Sequence, residues 1–178
     1  VINNGITYAV TRIGSKAFAG CKSLTSVTIS ASVVDIAGDA FLNAALYKDE
    51  ANWTDGTLYI DNCLISAKTT LSGAYNIKEG TRVIAGQAFK SCGSLTAINI
   101  PNSVVGIGNA AFSSCSALTS ITIPSHVTSI KDYTFYRCHA LQNISIPSTI
   151  TSIGERAFYE CYALSELTIP ATVKSMGE

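Results

Sequence analysis

Charge is scarce in this chain. Only 13% of its 178 residues are charged, and 12 Lys+Arg balance 12 Asp+Glu. An ordinary soluble domain carries about twice that share. A neutral chain with a pI near 6.9 lacks the basic excess that displaces counterions from a nucleic acid. Although 47% of residues are hydrophobic, no run approaches the roughly 18 apolar residues of a membrane span. No charged-then-apolar leader opens the sequence. Cys-x-x-Cys pairs are missing, which removes the commonest zinc spacing. Glycine-rich phosphate loops are missing as well. The two histidines, His126 and His139, fall in no Ser/Cys–His–Asp pattern. Asp49, Glu50, Asp55 and Asp61 match no calcium loop of alternating oxygen ligands. A non-enzymatic chain with no metal, no cofactor, no nucleic-acid partner and no membrane insertion is the expectation.

What is present is a repeat. Phe18 and Phe41 lie 23 residues apart, as do Phe89, Phe112, Phe135 and Phe158 in succession. Cysteine follows three residues later at Cys21, Cys92, Cys115, Cys138 and Cys161, with Ala44 in the sixth place. Leucine follows three later again at Leu24, Leu95, Leu118, Leu141 and Leu164. The unit reads Leu-x-x-Ile-x-Ile-Pro-x-x-Val-x-x-Ile-Gly-x-x-Ala-Phe-x-x-Cys-x-x. Its Ile-x-Ile end alternates with period two, which predicts a short strand with one buried face. Proline then stops that strand at Pro101, Pro124, Pro147 and Pro170. Val-x-x-Ile predicts a second extended piece, and Ala-Phe-x-x-Cys predicts a single 3₁₀ turn. A coil this short cannot bury its own apolar face. Stacked coils, with strands about 4.8 Å apart, bury ladders of equivalent side chains.

The register can be followed to both ends of the sequence. Ile6 stands 12 residues before Phe18, and Met176 holds the Ile position of the Val-x-x-Ile piece in an unfinished coil. Neither end has a polar cap, so the expectation is one solenoid over residues 1–178, a segment of a longer protein. Residues 45–76 interrupt the pattern. Thr57-Leu-Tyr-Ile60 and Cys63-Leu-Ile-Ser66 flank Asp61-Asn62, a hairpin signal. A degenerate coil bearing a hairpin is expected there.

Ser-Ile-Gly-x-x-Ala-Phe-x-x-Cys-x-x-Leu-x-x-Ile-x-Ile-Pro, repeated nearly end to end, resembles the BspA-like (Treponema-type) leucine-rich repeats. The resemblance implies a right-handed superhelix of coils of about 23 residues with short parallel strands, 3₁₀ turns and little regular helix. It also implies a secreted or cell-surface protein of a host-associated microbe, with adhesion to host or microbial proteins as the activity. A passive spacer or scaffold repeat that projects another domain is the alternative.

Equivalent cysteines in stacked coils have Cβ atoms too far apart for a disulfide, so reduced thiols packed as small hydrophobes are expected. Cys63, outside the ladder, is the expected reactive thiol. Two surfaces are candidates for binding. The outward strand positions, including Thr28, Asn99, Thr122, Asn143, Ser145 and Thr168, form a small, polar, nearly uncharged face suited to a protein or a glycan. The second surface is aromatic: Tyr136 and Tyr159 follow the repeat Phe, His139 and Tyr162 follow the Cys, and Tyr133 lies beside them. Clustered tyrosines offer apolar area and a hydroxyl at low entropy cost. Apolar positions at the ends, Ile6, Val10, Ile13 and Phe18 at one and Ile169, Val173 and Met176 at the other, suggest weak end-to-end self-association.

Overall fold

Stacked phenylalanine rings mark the axis of the molecule. In the computed structural model, which describes residues 9–178 and the backbone of strands Ile2–Asn3 and Ile6–Thr7, Phe89, Phe112, Phe135 and Phe158 stack at 5.5–5.6 Å between centroids, with rings within 12° of parallel. Each coil contributes one ring, so the repeat spacing becomes a repeat along the axis. The chain is a leucine-rich-repeat solenoid of short, mostly parallel strands. Among the described residues no helix is long and apolar enough to cross a membrane.

The main sheet orders Asn143–Ser145, Ser120–Thr122, Ser94–Asn99 and Ser72–Asn76, all parallel. Its partner across the core is divided. Gly106–Ile107, Val83–Ile84 and Cys63–Ala67 run parallel in one sheet, which Thr57–Ile60 and Trp53–Thr54 extend antiparallel. Ser129–Ile130, Ser152–Ile153 and Ser175–Met176 form another parallel sheet. Between them lies a core of Leu95, Leu118, Leu141, Val104, Val127, Ile150 and the phenylalanines, nearly all without solvent contact.

The Ala-Phe-x-x-Cys segment differs from a 3₁₀ run. The amides of Ala111, Ser113 and Cys115 bond three residues back, whereas those of Ala110, Phe112 and Ser114 donate to Asp132, Thr134 and Tyr136 carbonyls in the next coil. Left-handed residues make this alternation possible: Ala110 and Ser114 have φ of 55° and 61°, and Tyr133 and Arg137 repeat the values. Each left-handed residue turns a neighbouring amide along the axis. The inter-coil bonds offset its steric cost of about 1–2 kcal/mol.

The island at 45–76 holds the hairpin at Asp61-Asn62, where Ile60 pairs with Cys63. A second hairpin turns at Asp55-Gly56, both with positive φ, so Trp53–Thr54 joins as a third strand. Asp-Gly between β-formers is itself a strong hairpin signal.

The island also separates two cores. Leu64 and Ala67 point into the main one. Leu58, Ile60, Cys63 and Ile65 point into a second, with Ile29, Val33, Ile36, Phe41, Val83 and Ala85. Phe41 stacks on Phe18 at 5.2 Å, while Tyr75, tilted against Phe89 at 5.8 Å, begins the longer ladder. The coils of Phe18 and Phe41 therefore lie over the outer face of the divided sheet. Gly106 records this contact: a Cβ there would sit 2.0 Å from the Val34 carbonyl oxygen. Lys131, which stands where other coils have Gly, reaches across to Asp35, and Asp35 also meets Arg12 at 3.1 Å.

Candidate binding surfaces

Tyr136 and Tyr159 occupy equivalent places in successive coils, and the backbone holds them there. The Tyr136 amide closes onto Tyr133 O, and the Tyr159 carbonyl accepts from Arg137 N at 2.8 Å. Their rings stack at 5.4 Å and 9°. His139 and Tyr162 form a second stack beside them at 5.1 Å and 16°. Tyr133 meets Tyr136 edge-on at 5.6 Å. All five candidate residues are thus brought into one patch. Tyr159 keeps 50% and Tyr162 74% of its surface in solvent, which separates them from the buried phenylalanines. Tyr133 and Tyr136 are half-buried and His139 is exposed.

Ion pairs frame the rings. Arg137 lies 5.0 Å from the Tyr136 centroid and donates its Nε–H to Glu160 Oε2 at 2.8 Å. Burial alone would raise the Glu160 carboxyl, but Arg137, with His139 and Tyr162 close by, holds it below its ordinary range. Arg156 sits 5.9 Å from the Tyr159 centroid. Tyr133 donates to Glu155 at 2.9 Å, and that bond raises the phenol. Arg137 and Arg156 thus lie over the rings, which the spacing of the aromatic positions alone does not indicate.

The strand face is more restricted than its sequence positions imply. Asn99, Thr122, Asn143 and Ser145 are exposed side by side on the main sheet. Thr28 and Thr168 are exposed too, but lie outside any strand. Near Thr28 the Ile29 amide donates instead to Asp61 Oδ2 at 2.7 Å, so the island diverts that segment from the ladder. The ladder's other edge is Asn143–Ser145, one coil short of Thr168. A concavity of about 570 Å³ lies on this face over Asn76, Asn99 and Thr122.

The thiols form a ladder of their own. Cys115, Cys138 and Cys161 donate to the carbonyls of Phe89, Phe112 and Phe135 at 3.1–3.2 Å. Burial pushes Cys138 up to about 12 and Cys92 and Cys161 to about 11. Cys63 is not the reactive thiol. It is 5% exposed and burial raises it to about 11, whereas Cys21 is the exposed one. At the ends, Val10, Ile169 and Met176 are exposed, while Ile13, Phe18 and Val173 are half-buried. The Ile6 side chain lies outside the described residues.

A family model described as a BspA type leucine rich repeat region, in 6 copies, matches residues 2–73 and 67–178. The chain belongs to this family. Members of it and their fold point to a protein-interaction repeat module and are typically non-catalytic. Among solved structures this BspA-type chain is similar to a leucine-rich repeat protein from Bacteroides ovatus ATCC 8483, at 24% identity and TM-score 0.55, over 99% of this chain and 51% of that one. That likeness shows the fold. A leucine rich cell surface protein from Faecalibacterium prausnitzii A2-165 is 28% identical with TM-score 0.49, over 94% and 51% of the two chains. The T. pallidum leucine rich repeat protein is 28% identical with TM-score 0.48, over 88% and 72%. The chain spans about half the length of the first two. No curated protein matches it.

Proposed function

We propose that this BspA-type segment is the protein-binding part of a secreted or cell-surface protein, and that it adheres to a host or microbial protein through its aromatic patch. The observation that carries the reading is the pair of exposed stacks, Tyr136 on Tyr159 and His139 on Tyr162. Aromatic and arginine side chains are the residues on which protein interfaces concentrate their energy. Earlier coils place Ala19, Lys90 and Ser113 where Tyr136 and Tyr159 stand, so the patch belongs to the last coils alone.

The test is binding of the immobilised chain to a panel of purified extracellular-matrix and serum proteins, with Tyr136→Ser/Tyr159→Ser beside the parent. Saturable binding that the double variant loses, at an unchanged Tm, supports the reading. Binding that survives while Tm falls by several degrees makes the rings structural. Weak end-to-end association through Ile169 and Met176 is part of the same proposal, and light scattering that shows a strict monomer at millimolar concentration removes it.

A further inference from the structure

The island does more than interrupt the repeat. It stands beside the strand Ser72–Asn76 and encloses a second concavity of about 370 Å³, lined by Asn52, Thr54, Asp55, Tyr59 and Lys78. Tyr75 and Asn76 line both this space and the one on the main sheet. The two therefore adjoin as one groove, walled by the hairpin and floored by the sheet. We propose that this groove binds a neutral oligosaccharide, independently of the aromatic patch.

Three observations carry the assignment. The floor is built of amides and hydroxyls at sheet spacing. Asn76 pairs in register with Asn99, and Thr122 follows on the next strand. Neighbouring strands lie about 4.8 Å apart, the scale of a single pyranose ring, so a periodic hydroxyl polymer meets a periodic row of donors and acceptors. The side chains of Asn76, Asn99 and Thr122 are all exposed, so their donors and acceptors face solvent and can meet a ligand.

The second observation is that the strand rows of the floor, away from the tyrosine end, hold no aromatic or arginine anchor. The exposed strand positions of the floor, Asn76, Asn99, Ser120 and Thr122, are small and polar, with Ala74 and Ala97 between them and Glu79 at the margin. Protein interfaces instead draw their energy from aromatic or arginine anchors in pockets. The third is the aromatic end. Tyr59 and Tyr75 are half-buried where the two concavities meet, and their hydroxyls are already engaged, Tyr75 with Thr57 and Tyr59 with the Lys78 amide. Lys78 Nζ lies 6.0 Å from the Tyr59 ring centroid, so the exposed part of the Tyr75 ring is the apolar surface that can take the C–H face of a sugar. Asp55 and Lys78 bring one charge of each sign to the wall and Glu79 adds a carboxylate beside the floor, so the groove has no cationic excess to draw an anionic ligand.

The test is affinity electrophoresis of the full chain in gels cast with mannan, xylan, β-glucan or, as the charged control, heparin. Retardation is expected from at least one neutral polysaccharide, persisting in 0.5 M salt. Asn76→Ala/Asn99→Ala should weaken it at least tenfold. Ala97→Trp, which fills the groove and removes no polar group, should do the same, each at a Tm near that of the parent. Tyr136→Ser/Tyr159→Ser should leave it unchanged, which separates this site from the protein-binding patch. Retardation by none of the neutral polymers overturns the proposal. So does retardation by heparin alone, or retardation that both groove variants retain.

Discussion

Cys138 donates its thiol to the carbonyl oxygen of Phe112 at 3.1 Å, and that oxygen also accepts the Cys115 amide at 3.1 Å. One carbonyl thus closes its own turn and joins the next coil. Cysteine suits the place because it is small, apolar and still a donor. Cys138→Ala removes buried volume and the donor together, and should cost about 1–3 kcal/mol. Urea denaturation of the variant beside the parent measures this. A loss below about 0.5 kcal/mol would show that the bond contributes nothing.

The same burial predicts thiol reactivity. Cys138, raised to about 12, and Cys63, Cys92 and Cys161, raised to about 11, hold almost no thiolate at pH 8, and Cys115 is pushed higher still by burial. A thiol-specific disulfide reagent should label Cys21 within seconds to minutes in the native protein, and all six cysteines in guanidinium. Rapid native labelling of more than one site contradicts the ladder.

Gly106 carries a prediction about the N-terminal coils. Equivalent positions in later coils hold Ser129, Ser152 and Ser175, so a side chain suits the strand itself. Only the Val34 carbonyl forbids one. Gly106→Ser should force residues near Val34 away from the sheet and cost roughly 1–3 kcal/mol, as overpacking does. Limited proteolysis should then cut within 9–44 first. An unchanged cleavage pattern and Tm would mean that the contact is dispensable.

The solenoid was legible because its constraint is periodic: a phenylalanine every 23 residues leaves little but stacked coils. The aromatic patch was legible for the same reason, since equivalent positions in adjacent coils become neighbours. Lateral packing was not. It shows only as small departures, such as Ile-Ala-Gly at Ile36 and Ile84 where other coils read Ile-Gly. These allow Gly38 and Gly86 to approach until a Cβ on Gly38 would sit 2.4 Å from Gly86 O. The 3₁₀ expectation missed because apolar spacing of three fits both a helical turn and a series of left-handed turns. Only the backbone angles separate them.

Glu160 gives the patch a pH dependence. Its carboxyl is held below the ordinary range because Arg137, His139 and Tyr162 favour the anion more than burial disfavours it. A lowered carboxylate contributes stability above its unfolded pKa, about 4.3, and loses it as pH falls through the folded value. The Tm difference between parent and Glu160→Gln should be constant at neutral pH and vanish toward pH 3. A difference that grows on acidification would reverse the sign and reject the ion pair as its source.

Phe41 tests whether the two cores melt as one. Its ring belongs to the second core, 1% exposed and stacked on Phe18. Val83 faces the same core, while Ile84, the next residue on the same strand, faces the main one. Stripping the N-terminal coils would leave Leu58, Ile60, Cys63, Ile65 and Val83 in water on the outer face of a sheet whose inner face still holds the main ladder. At about 1.5–3 kcal/mol for each large side chain exposed, that intermediate is too costly to accumulate. Phe41→Ala should therefore remove roughly 3–5 kcal/mol and lower one cooperative transition, followed alike by far-ultraviolet dichroism and by the fluorescence of Trp53. Phe112→Ala should shift that same transition by a similar amount, although its ring lies in the other core. Two separated transitions in Phe41→Ala, with Trp53 reporting only the first, would show that the shared sheet does not couple the cores.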